Sequence, residues 1–102
     1  MEDMMSIVKL VEVSKSSSVV SGAGYTLREI FVNPKHVVCL REDHHTQQLL
    51  VEGKLPNDLD NRQKFTKVQL NRGSTGLDVI VVGSPSMIEE KLNFSNRVLL
   101  KG

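Results

Sequence analysis

Apolar residues in this chain come in short runs, most of them alternating with polar residues at a period of two. A strand sends successive side chains to opposite faces, so this period marks half-buried strands rather than helices. Tyr25 to Val32 shows it best: Tyr25, Leu27 and Phe31 share one parity with Glu29, while Thr26, Arg28, Ile30 and Val32 share the other. Met5 to Val13 is short and rich in β-branched residues, and it reads as a further strand. His36 to Glu42, Phe65 to Asn71 and Leu77 to Val82 read the same way, and Gln48 to Val51 reads as a short strand.

Turn residues divide these runs. Lys15-Ser16-Ser17-Ser18 and Ser21-Gly22-Ala23-Gly24 have loop compositions, with Val19-Val20 between them as a minor strand end. Asn33-Pro34 interrupts the second ladder, because proline has no N–H to donate and restrains the residue before it. The segments around it are expected to form a hairpin or a bent strand. Asp43-His44-His45-Thr46 reads as a turn, and Glu52 to Lys64 as a long polar surface loop. Arg72-Gly73-Ser74-Thr75-Gly76 is the tightest turn signal, so the strands flanking it form a hairpin. Leu77 to Val82 is nearly all apolar, which predicts a central strand buried on both faces.

One helix is expected. Ser84 can cap free N–H groups, and Pro85 suits the first helical position. Ser86 with Glu89 offers an overlapping capping box. Ile88 and Leu92 share a face, Asn93-Phe94-Ser95-Asn96 weakens the helix, and Val98-Leu99-Leu100 is an apolar tail. The expected architecture is α+β, mostly β: a small twisted antiparallel sheet of about five strands with one short C-terminal helix, in a single domain over residues 1–102.

Composition narrows the function classes. Tyr25, Phe31, Phe65 and Phe94 are the only aromatic residues and tryptophan is absent, so the core is thin and aliphatic. A small core of that kind, with the apolar tail, points to a homo-oligomer whose subunits complete one another. Thirteen basic residues face twelve acidic ones. The clustered cations that duplex nucleic acid requires are missing, so a small phosphorylated ligand or a protein partner fits better. Cys39 is the only cysteine, which suits a reducing compartment. Met1-Glu2-Asp3-Met4-Met5 opens acidic and leads into no long apolar run, and no stretch reaches the about 20 apolar residues of a membrane helix. A cytoplasmic protein without a membrane partner is the expectation.

Several segments resemble the small flagellar FlbD-type family. Ile7-Val8-Lys9-Leu10 is similar to that family's opening strand, and Ile30-Phe31-Val32-Asn33-Pro34-Lys35-His36-Val37 to its apolar strand, Asn and second strand. Thr66-Lys67-Val68-Gln69-Leu70-Asn71-Arg72-Gly73 resembles its strand ending in Asn-Gly. Val81-Val82-Gly83-Ser84 with Ile88-Glu89-Glu90-Lys91-Leu92 resembles its final strand and acidic helix. The Gly22–Gly24 loop and the Glu52–Lys64 insertion depart from the pattern. The resemblance implies a small twisted sheet closed by a helix and carries over no active site. The short chain with long decorated loops also looks like bacteriophage proteins that block host defences, some of which are oligomeric sponges for nucleotide-type immune signals.

Candidate chemistry is sparse. Asp43-His44-His45 suggests a metal site or a general base, but fellow ligands are few, and an exposed polar turn is the simpler reading. Cys39 lies in an apolar run and reads as a small buried hydrophobe. Arg72, Gly73, Ser74 and Thr75 form a loop that can turn backbone N–H groups toward an anion, although a plain hairpin turn needs the same glycines. Arg62 and Lys64 can hold a phosphate or carboxylate beside Phe65, although a solvated charged loop is the simpler reading, and Tyr25 beside Arg28 can stack on a base or simply pack against a neighbouring strand residue. No catalytic triad, phosphate-binding loop, dinucleotide fingerprint or paired-carboxylate motif can be assembled. The expected function is therefore a non-catalytic, homo-oligomeric binding protein without a cofactor, of the phage type that sequesters a nucleotide-derived signal. A protein that blocks or regulates a host protein is the alternative, and a nucleic-acid-binding regulator comes after both.

Overall fold

A computed structural model of the chain describes residues 7–15, 24–56, 59–73 and 75–101. Five antiparallel strands make one open sheet: β1 (Val8–Lys15), β2 (Tyr25–Val32), β3 (Val37–Glu42), β4 (Phe65–Arg72) and β5 (Thr75–Val82), in the order β2-β1-β5-β4-β3. Among the described residues two helices accompany it, α1 (His44–Val51) and α2 (Pro85–Lys101), together with a 3-10 turn over Pro34–His36. The mostly β, α+β architecture is as the sequence implies, and β5 is the middle strand.

The alternation read from the sequence sorts side chains onto two faces. Val8, Leu10, Val32, Val68, Leu70, Val79 and Val81 form one cluster, sealed by Ile88 and Leu92 of α2. Val13, Phe65, Leu49, Leu50 and Leu55 form a second on the opposite face, with Tyr25, Leu27, Leu59, Ile80 and Val82 packed against it. Each fully buried aliphatic side chain contributes about 1.5–3 kcal/mol relative to exposure, so both faces stabilise the sheet. The far end of β5 is less covered than expected, since Leu77 and Asp78 are exposed.

Residues 33–36 alone join β2 to β3, although those strands form opposite edges. The five steps from Val32 to Val37 reach at most about 18 Å at about 3.6 Å per residue. A flat five-stranded sheet is about 19 Å wide, with strands about 4.8 Å apart, before any offset along the strands. The sheet must therefore curl, and one groove is in fact lined by Ile30 and Val32 from β2, His36, and Leu70 and Leu77 from the β4–β5 hairpin. Asn33-Pro34 is thus a crossing rather than a hairpin. It is built as a capped turn: Asn33 accepts from the Lys35 N–H at 2.9 Å, and His36 Nδ1 donates to the Asn71 carbonyl at 3.1 Å.

Other expectations are corrected. His44 and His45 open a helix, and Gln48 to Val51 continue it instead of forming a strand. Asp43 sits at its N-cap and accepts from the Thr46 hydroxyl, while Leu49 and Leu50 anchor its inner side. The C-terminal helix has 17 residues and runs through Asn93–Asn96 and the apolar tail without a break. The Glu52–Lys64 segment is not purely superficial, because Leu55 is buried. Lys15 and Arg72 extend their strands, and His36 precedes its strand. Met5, the serine run, Val19-Val20, Ser21 to Ala23, and Asn57-Asp58 lie outside the described residues.

Candidate functional site

Gly83 organises one end of the sheet. Phe65 pairs with Val82 in the β4–β5 ladder, and the next step out brings the Gly83 N–H to the Lys64 carbonyl at 2.8 Å. The Gly83 carbonyl accepts from the buried Thr66 hydroxyl at 2.7 Å. Its φ of +125° lies where side chains are rarely tolerated, and the chain turns there from β5 into α2. Ser84 then caps the helix as expected, its Oγ accepting from the Met87 N–H at 3.3 Å, and Pro85 is the first helical residue. The Ser86–Glu89 capping box is not used.

A shallow groove of about 460 Å3 opens beside this junction, lined by Asp60, Arg62, Gln63, Lys64, Ser84 and Met87. Arg62 and Lys64, two of the candidate cations, thus meet the start of a 17-residue helix, whose positive dipole end favours anions. Met87 supplies an apolar wall and is half-exposed. Asp60 accepts the Arg62 N–H at 2.8 Å and faces its guanidinium at 3.4 Å. That N–H, and then the guanidinium, hold the Asp60 carboxyl below the usual aspartate range. Lys64 Nζ lies 3.3 Å from Glu42 Oε2. Both ion pairs lie at the surface, where water screens them, so each yields readily to a better anion.

The remaining candidates lie elsewhere. The Arg72–Gly76 turn is at the far end of β4, about 23 Å from Phe65 at a strand's rise. Gly73 there has φ +66°, as a tight hairpin turn demands, and Thr75 begins β5. The Arg72 side chain and Ser74 lie outside the described residues. Tyr25 packs half-buried against the second core cluster, and Arg28 donates to Glu12 at 2.9 Å across β1 and β2. Four loci thus resolve into one groove, one turn, a half-buried strand position at Tyr25 and an exposed one at Arg28.

Ser84, Met87, Asp60 and Gln63 were not singled out as site residues by the sequence. A signal for them existed: counting back from the Arg72–Gly76 turn places Phe65 opposite Val82 and hence Lys64 beside Gly83. Cys39 is not a core hydrophobe. A bulge between Val37 and Cys39 turns it to the face of Gln69, whose side-chain oxygen accepts from the Cys39 thiol at 3.0 Å. Among the described residues, no three or more His, Cys, Asp and Glu side chains gather to hold a metal ion. Among them, too, no helix is long and apolar enough to cross a membrane.

Comparison of the chain with known protein families, with curated proteins and with solved structures found no match.

Proposed function

We propose that this chain is a non-catalytic, homo-oligomeric binding protein of the cytoplasm that captures a small phosphorylated ligand of the nucleotide type. One observation carries the reading: the groove beside Gly83 gathers Arg62, Lys64 and the start of α2 around an opening of about 460 Å3. The two cations and the positive end of the helix dipole suit a phosphate, and Met87 offers a surface for an apolar ring. The groove is shallow and open, which suits capture and release more than chemistry that must exclude water. Sequestration of a nucleotide-derived immune signal, as by a phage-type inhibitor, is the biological form of this proposal.

The Arg72–Thr75 turn cannot reach a small ligand in the groove of its own chain. It joins the site only if a neighbouring subunit presents it, which ties binding to assembly. Calorimetric titration with adenosine diphosphate and with pyrophosphate tests the reading. Arg62→Ala and Lys64→Ala should each weaken binding about tenfold or more, the loss of one charge-assisted hydrogen bond. Unchanged affinity in both Arg62→Ala and Arg72→Ala refutes the site. The purified protein offers a simpler check. With no tryptophan and one tyrosine its own absorbance near 280 nm is small, so co-purified nucleotide stands out at 260 nm.

A second reading, docking on a host protein, draws on α2. Met87 and Phe94 are both more than half exposed and stand seven residues apart, on one line of the helix. Binding of neither nucleotide probe, with Phe94→Lys abolishing capture of a host protein, favours that alternative.

A further inference from the structure

The open sheet leaves two edges, and they are protected very differently. An exposed strand edge presents unpaired N–H and C=O groups, and proteins blunt such edges with bulges, prolines, short strands or free charges. β3 has six residues, a bulge after Val37, the exposed Arg41, and α2 packed against it. β2 has eight residues, pairs with β1 in unbroken register from Tyr25 to Val32, and contains no proline or lysine. Its two charges are exposed but paired with β1: Arg28 meets Glu12 at 2.9 Å, and Glu29 meets Lys9 at 3.3 Å. Among the described residues nothing pairs with its outer side.

Apolar surface accompanies this bare edge. Tyr25, Leu27 and Phe31 share one face of β2 with the Glu29 that pairs with Lys9; Tyr25 and Leu27 pack partly against the core, and Phe31 is 64% exposed. On the same face of the neighbouring segment, Ile7 is 43% and Val11 36% exposed. Edge and patch together call for an added strand bearing apolar side chains on one face.

We infer that this partner is a second copy of the chain, joined β2 to β2 in antiparallel fashion about a two-fold axis. The inference rests on the homo-oligomeric part of the function proposed above and names its interface. A two-fold axis perpendicular to the sheet keeps each face with its like, so the apolar side of one β2 continues into the apolar side of the other. With the axis at Glu29, Phe31 meets Leu27 of the partner subunit; with the axis at Arg28, it meets Tyr25 of the partner subunit. With the axis at Glu29 the two Glu29 carboxylates face each other, each paired with its own Lys9; with the axis at Arg28 the two Arg28 guanidiniums do, each paired with its own Glu12. The product is a continuous ten-stranded sheet that hides both β2 edges.

Light scattering and hydrogen exchange on the whole chain test this. The wild type should scatter at twice the chain mass of 11.4 kDa at micromolar concentration. Phe31→Lys should weaken association at least about tenfold, because symmetry applies each loss twice. Phe94→Lys, the same change on α2, should leave the dimer intact. Should Phe31→Lys fail to fold, exchange on the wild type decides: amides of Tyr25–Val32 gain protection as concentration rises a hundredfold, and those of Val37–Glu42 do not. A wild-type oligomer protected at β3 or α2, or dissociated by Phe94→Lys but not by Phe31→Lys, overturns the interface and leaves the homo-oligomeric reading standing. A wild-type monomer overturns both.

Discussion

Replacing Gly83 by alanine should be among the most damaging small changes this chain can suffer. Two costs combine there. The φ of +125° is a region that is essentially glycine's own, which costs about 1–3 kcal/mol for any other residue. A Cβ added at Gly83 would also lie 3.1 Å from Ile88 Cδ1 and 3.3 Å from Met87 Sδ. Met87 is exposed and can swing aside, but Ile88 is fully buried in the core beneath α2. Forcing an extra methyl against a packed core side chain typically costs about 1–3 kcal/mol. The expected total is about 2–6 kcal/mol, a large share of the about 5–15 kcal/mol that holds an ordinary domain together. Gly73→Ala separates the two costs, since Gly73 has φ +66° but open space around its absent Cβ. It should lose only the backbone part, about 1–2 kcal/mol. Urea unfolding followed by far-ultraviolet circular dichroism measures both, at one fixed protein concentration so that assembly does not shift the midpoint. A Gly83→Ala chain no less stable than Gly73→Ala would refute the argument that Ile88 blocks the position.

Two further outcomes follow from the same junction. Thr66→Val keeps the shape of a fully buried side chain but removes the donor to the Gly83 carbonyl, and should cost about 1–3 kcal/mol by urea unfolding; an unchanged midpoint would mean that water or another donor satisfies that carbonyl. In the neighbouring loop, Asp60 should titrate below the ordinary aspartate range by carboxyl 13C resonance. Because its folded pKa is depressed, the contact it makes with Arg62 is complete above the ordinary range and is lost as pH falls through the folded value. Arg62→Ala should raise that midpoint only part of the way, since the backbone N–H, the larger cause, remains.

The strands were legible because a period of two and a glycine-rich turn are local signals. Tyr25–Val32 matches β2 at both ends, and the Arg72–Gly76 turn fixes the register of β4 on β5. The helix α1 was not legible. His-His-Thr-Gln-Gln carries no apolar stripe, and Val51 favours strands, so the segment is helical because Leu49 and Leu50 find Phe65 across the sheet. The length of α2 escaped for a related reason. Asn and Ser each cost only a few tenths of a kcal/mol in a helix, too little to end one already anchored by Ile88 and Leu92. The crossing at Asn33-Pro34 was misread because a turn's sequence says where the chain bends and not which strand it reaches. For the groove, Arg62 and Lys64 were visible as charges, whereas their meeting with Ser84 depended on pairing beyond the last ladder residue.

The position of β1 has a consequence for how the protein is made. Glu12 of β1 pairs with Val81 of β5, 69 positions later. At about 5–20 residues per second, a ribosome needs about 3–14 seconds to deliver that partner. Until then the nascent chain holds at most two separate strand pairs, β1–β2 and β3–β4, and an isolated pair in water is marginally stable at best. Its apolar residues wait, uncovered, for a strand not yet translated. Assembly of the sheet is therefore postponed until β5 has emerged, and a product released before then has no complete sheet to retreat to. Such fragments should be cleared by proteases rather than accumulate as a working shorter form.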